Sequence, residues 1–223
     1  MSADVRALVA RGKQQAAALR EIRRRGKPRR DEVRQRHAAS PGFRAALAAD
    51  VMATLRYRAE GRPHLSRTEL IAETIRLSWV SDAFLAQVLY RGRVAALRRG
   101  LPVLPRMLHF GSMAVSQVCI GDPVIIGGGL YLPHGQVVVD GLTQVGADVV
   151  LFPWTTIGLR AGNFNGPQIE NGVHVGTGAK VVGPVTLGTN ARVGANAVVI
   201  EDVPAGSTVV GVPGRLAGRA SLP

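Results

Sequence analysis

The chain has 223 residues, of which 46% are apolar, so it is long enough to bury a sizeable core. Aromatic residues make up only 4%, which is low for a β-sandwich or a barrel and suits an interior lined by Val, Ile and Ala. The single cysteine, Cys119, excludes an internal disulfide, and no stretch of about 18 uncharged apolar residues predicts a membrane helix. Because Met1–Ala10 also lacks a signal-peptide pattern, these features predict a cytoplasmic protein.

The positive charge of the chain is confined to its first half. Residues 1–118 carry 23 Lys and Arg against 9 Asp and Glu, a net charge of +14, whereas residues 119–223 carry 5 against 6, a net charge of −1. This division predicts a chain of two parts with different surfaces.

Residues 1–63 predict a basic helical extension. Ser40-Pro41-Gly42 predicts a break within it, and a further helix is expected through Val51–Tyr57. The basic run Arg20–Arg36 could bind nucleic acid or an acidic partner. It has no aromatic side chain to stack on bases, however, so a solvated or subunit-packing helix is favoured over nucleic-acid binding.

Residues 64–117 predict a helical domain. Ser66 and Glu69 fit a capping box, in which the side chain of each residue bonds the backbone of the other at the start of a helix. A second helix is expected after Ser81-Asp82, and it should end at Gly100 because glycine favours the backbone conformation that terminates helices.

Residues 118–205 follow a six-residue period, which fits neither an α-helix nor an ordinary strand. A sustained period of six predicts a solenoid in which each flat face uses one hexad, three hexads complete a coil and the aliphatic residue points inward. Roughly fourteen hexads give between four and five coils, and residues 206–223 are expected to form a C-terminal tail. The aliphatic positions are Ile120, Ile126, Leu132 and Val138, then, after a slip of one residue, Val139, Val145, Leu151 and Ile157, and finally Ile169, Val175, Val181, Leu187, Val193 and Val199.

Five segments of the chain carry a family resemblance: Gly127-Gly-Gly-Leu-Tyr-Leu-Pro-His134-Gly, Thr155-Thr-Ile-Gly158, Ile169-Glu-Asn-Gly-Val-His-Val-Gly-Thr-Gly-Ala-Lys180, Leu187-Gly-Thr-Asn-Ala-Arg-Val-Gly-Ala195 and Gly211-Val-Pro-Gly-Arg215. Together they resemble one branch of a known family, the serine acetyltransferases among the hexapeptide-repeat acyltransferases. The resemblance covers roughly residues 85–217. It implies an α+β protein, with an N-terminal α-helical region followed by a left-handed parallel β-helix. It also implies a homotrimer, with a dimer of trimers as the alternative, and acetyl-CoA bound as co-substrate in the groove between subunits.

His134 is the candidate catalytic residue. It lies at a coil corner in Leu132-Pro133-His134-Gly135, where the family has its catalytic histidine, so the resemblance implies that it is the general base. A neutral imidazole is suited to accept a proton near pH 7. Taken by itself, a lone histidine is more often a surface or interface residue.

The acceptor side departs from the family at three places. Pro133 replaces an aspartate that holds serine, and Cys119 falls where the family has the aspartate that orients the histidine. The loop Leu159–Gln168 is two residues shorter, and Gly166, beside Asn165, takes the position of a second histidine. The candidate acceptor-binding residues are therefore Cys119, Pro133 and Asn165. We expect an acceptor that lacks the charged groups by which serine is held. Cys119 could also be proposed as a nucleophile, but an ordinary residue of the first coil is favoured.

The donor side resembles the family more closely. Gly158, Thr177 and Ala195 match positions at which the backbone pairs with the amides of acetyl-CoA, which requires small side chains. Three basic side chains, Arg192, Arg215 and Lys180, are candidates for its phosphates, with solvated surface charges as the alternative. No metal site is predicted, because a zinc site of this fold needs three histidines and the repeats hold only His134 and His174. We expect His174 to face solvent or a subunit groove.

These features together predict an acetyltransferase that moves an acetyl group from acetyl-CoA to the hydroxyl or amine of a small acceptor, serine-like or another amino compound, by direct transfer. An N-acetyltransferase for an amine or hydrazine-type acceptor remains open as an alternative. A non-catalytic β-helix scaffold also remains open, because the acceptor-side groups are missing.

Overall fold

The structure, a computed structural model, describes residues 30–217, so the first part of the basic run, residues 20–29, lies outside the described residues. Five helices precede a stack of short strands. None of these helices is long and apolar enough to cross a membrane. The helices are α1 (Arg30–Ala38), α2 (Phe43–Tyr57), α3 (Arg67–Val80), α4 (Asp82–Arg98) and α5 (Leu104–Ser116).

The helix starts follow from local capping. At the start of α3, Ser66 Oγ accepts the Glu69 amide at 3.3 Å and Glu69 Oε2 accepts the Ser66 amide at 2.8 Å, which confirms the predicted capping box. At the start of α4, Ser81 Oγ accepts the Phe84 amide at 3.3 Å. The segment after α4 turns at Gly100, which has a φ of +70°.

The helices α2, α3 and α4 share one core. Val51 and Leu55 of α2 pack with Leu77 of α3 and Phe84 of α4, and all four side chains are buried. The predicted boundary at residue 63 therefore falls between helices that pack together. The extension was predicted from its basic charges, which say nothing about the apolar residues that α2 contributes to this core.

The strands stack into three sheets that form a left-handed parallel β-helix. The first sheet has the order β1-β3-β6-β9-β12, the second β2-β4-β7-β10 and the third β5-β8-β11-β13-β14, and every pair is parallel except β13 with β14. The strands are β1 (Cys119–Ile120), β2 (Ile125–Ile126), β3 (Val138–Val139), β4 (Gln144–Val145), β5 (Val150–Leu151), β6 (Thr156–Gly158), β7 (Gln168–Ile169), β8 (His174–Val175), β9 (Lys180–Val182), β10 (Thr186–Leu187), β11 (Arg192–Val193), β12 (Val198–Val199), β13 (Thr208–Val210) and β14 (Arg215–Leu216).

The inward positions are those that the six-residue period predicts. In the first sheet, Ile120 pairs in register with Val139, Val139 with Ile157, and Val181 with Val199, and all of these side chains are buried. The slip of one residue lies in the turn between Leu132 and Val139, the turn that carries His134. The prediction that Val138 points inward is therefore wrong: Val138 is exposed, and Val139 takes the inward position.

The last coil extends past the predicted end of the solenoid at residue 205. Strand β13 pairs with β11, so that Val209 stacks on Val193 and is buried, and β14 folds back against β13. Part of the predicted tail therefore belongs to the β-helix. The six-residue period did not predict β13, because Val209 follows Val193 by 16 residues instead of 18.

A buried ion pair joins the helices to the first coil. The Arg91 guanidinium donates to both carboxylate oxygens of Asp50, at 2.7 and 2.9 Å, and to the Ile126 carbonyl at 2.8 Å. Asp50 Oδ1 also accepts the amides of Gly129 and Leu130, at 3.0 and 2.9 Å. Because both charges are hydrogen-bonded on several sides, the pair orients α2 and α4 on the β-helix.

Candidate active site

His134 lies in the turn that leads from the third sheet into β3. The Ser116 carbonyl, at the end of α5, accepts the Gln136 amide at 2.8 Å. The same carbonyl oxygen lies 1.8 Å from the position that a Cβ on Gly135 would occupy, so this backbone admits only glycine there. The His134 side chain is exposed, and no residue among 30–217 bonds its imidazole.

The turn belongs to a corner that runs the length of the β-helix, between the third and first sheets. We call this corner the His134 edge and define it by residues 133–136, 152–155, 176–178 and 194–196. Backbone bonds link its turns: the Trp154 amide donates to Gln136 O at 2.9 Å, the Gly178 amide to Pro153 O at 2.9 Å and the Asn196 amide to Thr177 O at 2.8 Å.

Two of the predicted donor contacts, Thr177 and Ala195, lie on the His134 edge. Neighbouring coils are spaced like neighbouring strands, so Thr177 stands about 10 Å and Ala195 about 14 Å along the axis from His134. Lys180 lies beside the edge in β9, where its ammonium donates to Trp154 O at 2.6 Å and to Thr156 Oγ1 at 3.1 Å. The fold therefore brings these three residues to one side of the solenoid with His134.

Gly158 and Asn165 lie at the other border of the first sheet. Gly158 ends β6, and Asn165 follows in the loop 159–167, where its amide donates to Asn163 Oδ1 at 2.9 Å. This loop packs against the coil below it, since the Leu142 amide donates to Phe164 O at 3.0 Å. Within one chain, Asn165 is thus on a different corner from His134.

Gly166 has no room for a side chain. A Cβ at this position would lie 2.1 Å from Thr143 Oγ1 and 2.9 Å from the Thr143 amide nitrogen. A histidine at position 166 would therefore require a different loop backbone.

Cys119 lies on the outer side of β1, directly below Val138, and Pro133 is half-buried in the turn beside His134. Burial raises the pKa of the Cys119 thiol and the Asp140 carboxylate raises it further, while Arg93 acts in the opposite direction. The thiol is therefore protonated near neutral pH. It cannot supply the negative charge that an aspartate would offer to an imidazolium.

Arg192 and His174 are neighbours on the outer face of the third sheet. Arg192 Nη1 donates to His174 Nδ1 at 3.3 Å, so Nε2 carries the proton and donates to the Tyr57 hydroxyl at 3.0 Å. The Tyr57 ring stacks on Tyr131 at 4.6 Å. The last residue of α2 therefore contacts His174, which stays half-buried, and the prediction that His174 faces solvent or a subunit groove stays a prediction.

Arg215 lies at the far end of the β-helix, in β14. Its guanidinium is 3.8 Å from Glu201 Oε1, and both side chains are exposed. Among residues 30–217, no cluster of three or more His, Cys, Asp or Glu side chains could hold a metal ion.

Comparison with known proteins places this geometry in a family. A model described as bacterial transferase hexapeptide (six repeats) matches residues 166–201. The chain is 40% identical over 131 residues to a serine acetyltransferase of Helicobacter pylori, covering 57% of this chain and 72% of the relative. It is 38% identical over 143 residues to a serine acetyltransferase of Synechococcus elongatus, covering 62% of this chain and 58% of the relative.

Solved structures agree. A serine acetyltransferase of Neisseria gonorrhoeae in complex with serine matches with a TM-score of 0.66 and 26% identity, over 81% of this chain and 71% of that one. A serine acetyltransferase in complex with CoA matches with a TM-score of 0.65 and 25% identity, over 82% and 73%.

The chain belongs to the serine acetyltransferase family. It spans less than two thirds of the length of the Synechococcus relative, 58%, and rather more of the Helicobacter one. Family membership confirms the predicted resemblance and the predicted fold class.

Two features of this serine acetyltransferase relative were missed by the sequence analysis. Trp154 lies on the His134 edge, one coil above His134. Tyr57 lies against the outer face of the third sheet, where its hydroxyl bonds His174. The first had a visible signal, an aromatic residue at a repeated position that is otherwise Gln136, Gly178 or Asn196. The second had none, because Tyr57 and His174 are 117 residues apart.

Proposed function

We propose that this protein is an acetyltransferase that moves an acetyl group from acetyl-CoA to the hydroxyl or amine of a small acceptor, with His134 as general base. One observation carries the proposal. The unpaired, exposed imidazole of His134 lies in a turn held by Ser116, on the same edge as Thr177 and Ala195. A base on the same edge as these two small residues suits a reaction in which an extended donor must end beside it.

The proposed step is direct transfer. The acceptor oxygen or nitrogen attacks the thioester carbonyl carbon while the unprotonated imidazole nitrogen of His134 accepts the acceptor's proton. The tetrahedral intermediate then collapses, the carbon–sulfur bond breaks and the CoA thiolate leaves, taking the proton from the imidazolium. Cys119 forms no covalent intermediate, because its thiol is half-buried and protonated.

The donor is held by two kinds of group. Backbone atoms at Gly158, Thr177 and Ala195 pair with the amides of the extended arm, and Arg192, Arg215 and Lys180 are the cations for its phosphates. Support comes from the relative whose structure is a complex with CoA. Lys180 also has a second role in this proposal. Two of its three ammonium protons point to Trp154 O and Thr156 Oγ1, so it supports the edge itself.

The acceptor is a compound other than serine in this proposal, although the relatives are named for serine. The acceptor-binding residues are Pro133, Cys119 and Asn165, none of which carries a charge. An amine or hydrazine-type acceptor of low pKa is the second candidate, because it is largely unprotonated at neutral pH and needs less help from a base. The absence of a carboxylate bonded to His134 among the described residues favours it.

The proposed assembly is a homotrimer in the cytoplasm, with a dimer of trimers as the alternative. Within one chain, Asn165 and His134 lie on different corners and cannot contact the same acceptor. In a trimer, a neighbouring chain can bring its loop 159–167 to the His134 edge. Light scattering should detect a species of three or six chains of 23.6 kDa. A monomer at working concentration would contradict this assembly.

The experiment that tests the proposed function measures free thiol released from acetyl-CoA against a panel of alcohols, amines and hydrazines. We expect release that depends on the acceptor and disappears without it. Binding of CoA with no release for any acceptor would instead support the scaffold alternative.

A further inference from the structure

Trp154 is exposed beside the candidate base and has no partner for its indole among the described residues. Its side chain is 59% exposed, in the turn directly above that of His134. No hydrogen bond reaches its indole nitrogen within residues 30–217, and no ring there stacks on it. A large apolar side chain in such a position is a candidate for contact with a ligand.

The backbone conformation at Trp154 is unusual for its side chain. Its φ is +65°, as at the equivalent corner positions Gln136, Gly178 and Asn196, where φ is +59°, +74° and +57°. Glycine and asparagine adopt this left-handed conformation readily, whereas a bulky aromatic residue does so at a cost. A costly residue at a repeated position, where its neighbours are glycine or carry amides, indicates a requirement for its side chain.

The turn holds the tryptophan rigidly. The Trp154 amide donates to Gln136 O, and Trp154 O accepts Lys180 Nζ at 2.6 Å. The buried hydroxyl of Thr155 donates to Phe152 O at 2.6 Å and closes the same turn. The indole is therefore presented from a backbone anchored on both sides.

The direction of the chain places Trp154 on the first-sheet side of the edge. The chain runs from the third sheet through the corner into the first sheet, and Thr177 and Ala195 each stand one position before the residue equivalent to Trp154. Trp154 therefore borders the first sheet. In that sheet Val138 lies one coil below Thr156, and Cys119 lies one coil below Val138. Pro133 and Phe152, at the third-sheet end of the same corner, are uncharged, and the Lys180 ammonium on the first-sheet side is bonded to Trp154 O and Thr156 Oγ1.

We propose that Trp154 forms the wall of the acceptor pocket and that the acceptor carries an aromatic ring next to its nucleophilic hydroxyl or amine. This inference rests on the proposed acetyl transfer and names the substrate class for it. The indole stacks on the ring, and its N–H is free to donate a hydrogen bond to the acceptor. The ring replaces the charged contacts that Pro133 and Cys119 no longer offer.

The first test compares acceptors that differ only in a ring: hydrazine with phenylhydrazine, and serine with 3-phenylserine. Trp154→Asn copies the residue at the equivalent position 196 and suits a positive φ, so the fold should persist. We expect it to lower kcat/KM for the ring-bearing acceptors about tenfold, the loss of a good aromatic contact, and to change the ring-free ones and the KM for acetyl-CoA little. Trp154→Phe should restore most of the loss.

Equal losses for all acceptors, or a raised KM for acetyl-CoA, would assign Trp154 to the donor and overturn the inference. A changed oligomeric state of Trp154→Asn in light scattering would assign it to a subunit contact and would also overturn it. Trp79→Ala is the matched control, since Trp79 is 90% exposed on α3 and should change none of these quantities.

A second measurement does not depend on turnover. The chain has two tryptophans, so in Trp79→Phe the fluorescence comes from Trp154 alone. Phenylserine should change this fluorescence saturably and serine should not. Such a change without thiol release would uphold the pocket and contradict the proposed function. Thiol release without any such change would overturn the pocket and leave the function standing, and the absence of both would overturn both.

Discussion

The carbonyl oxygen of Ser116 lies where a Cβ on residue 135 would have to be, 1.8 Å from that position. The last turn of α5 therefore sets the conformation of the turn that carries His134. We expect Gly135→Ala to move this turn, to lower turnover about as much as loss of His134 and to destabilise the fold by about 1–3 kcal/mol. Steady-state kinetics and thermal unfolding measure both effects. Gly42→Ala is the control, because its added methyl meets nothing within 4 Å; equal behaviour of the two variants would contradict the account.

Among the ion pairs of residues 30–217, we expect loss of the buried pair Asp50–Arg91 to lower the free energy of unfolding most. Arg91→Met leaves the Asp50 carboxylate buried with only two amide donors, so we expect the free energy of unfolding to fall by about 3–5 kcal/mol. Arg56→Met, which removes an exposed pair with Asp148 at 2.8 Å, should cost about 1 kcal/mol or less. Urea unfolding of both variants at the same protein concentration measures these two losses of free energy. Similar losses for Arg91→Met and Arg56→Met would contradict the larger contribution of the buried pair.

Stability should fall as the pH drops below about 6.5, the ordinary pKa of histidine. Burial lowers the pKa of His174, and Arg192 lowers it further. Because the folded state binds this proton less readily than the unfolded state, acidification favours unfolding. Burial lowers the pKa of His37 and His109 as well, so they act in the same direction.

The share of this pH dependence that belongs to His174 can be isolated by substitution. His174→Asn should reduce the fall of the melting temperature between neutral and acidic pH without removing it. An unchanged dependence on pH would show that the bonds from His174 to Tyr57 and Arg192 do not persist in solution.

Restoring a side chain at position 166 should not create a serine acceptor site. The Cβ of Gly166→Ala or Gly166→His would lie 2.1 Å from Thr143 Oγ1, so we expect both variants to be destabilised by about 1–3 kcal/mol or more. Neither should gain turnover with serine. A stable Gly166→His variant that acetylates serine faster than the natural chain would contradict the proposed acceptor side.

The parts of the fold that depend on a strict local period were predictable from the sequence. Val139, Ile157 and Val181 are buried where the hexads require, because one inward residue per face repeats along the chain. The capping box at Ser66 was predictable because its two residues are three apart.

Contacts between distant segments were not predictable in this way. Nothing near Tyr57 indicates that it stacks on Tyr131 and bonds His174, and nothing near Asp50 indicates its pairing with Arg91. The position of α2 depends on these contacts, which is why residues 1–63 were predicted as a separate extension. At the candidate site, the family resemblance predicted His134 as the base. That Trp154 lies next to His134 with an unpartnered indole follows only from the way the corner turns stack in three dimensions.

The separation of roles along the His134 edge is the central claim. Turnover by the His134→Ala variant, measured beside its dissociation constant for acetyl-CoA, tests it most directly. General-base assistance contributes roughly 10²–10⁴ in rate, so we expect kcat to fall within that range, toward its lower end because the protonated Cys119 thiol cannot stabilise an imidazolium. Donor affinity should stay nearly constant, since the donor contacts at Thr177 and Ala195 lie about 10 Å or more along the axis. His64→Ala, an exposed histidine in the loop before α3, should leave both quantities unchanged. Undiminished turnover of His134→Ala with a verified acceptor would show that His134 is not the base.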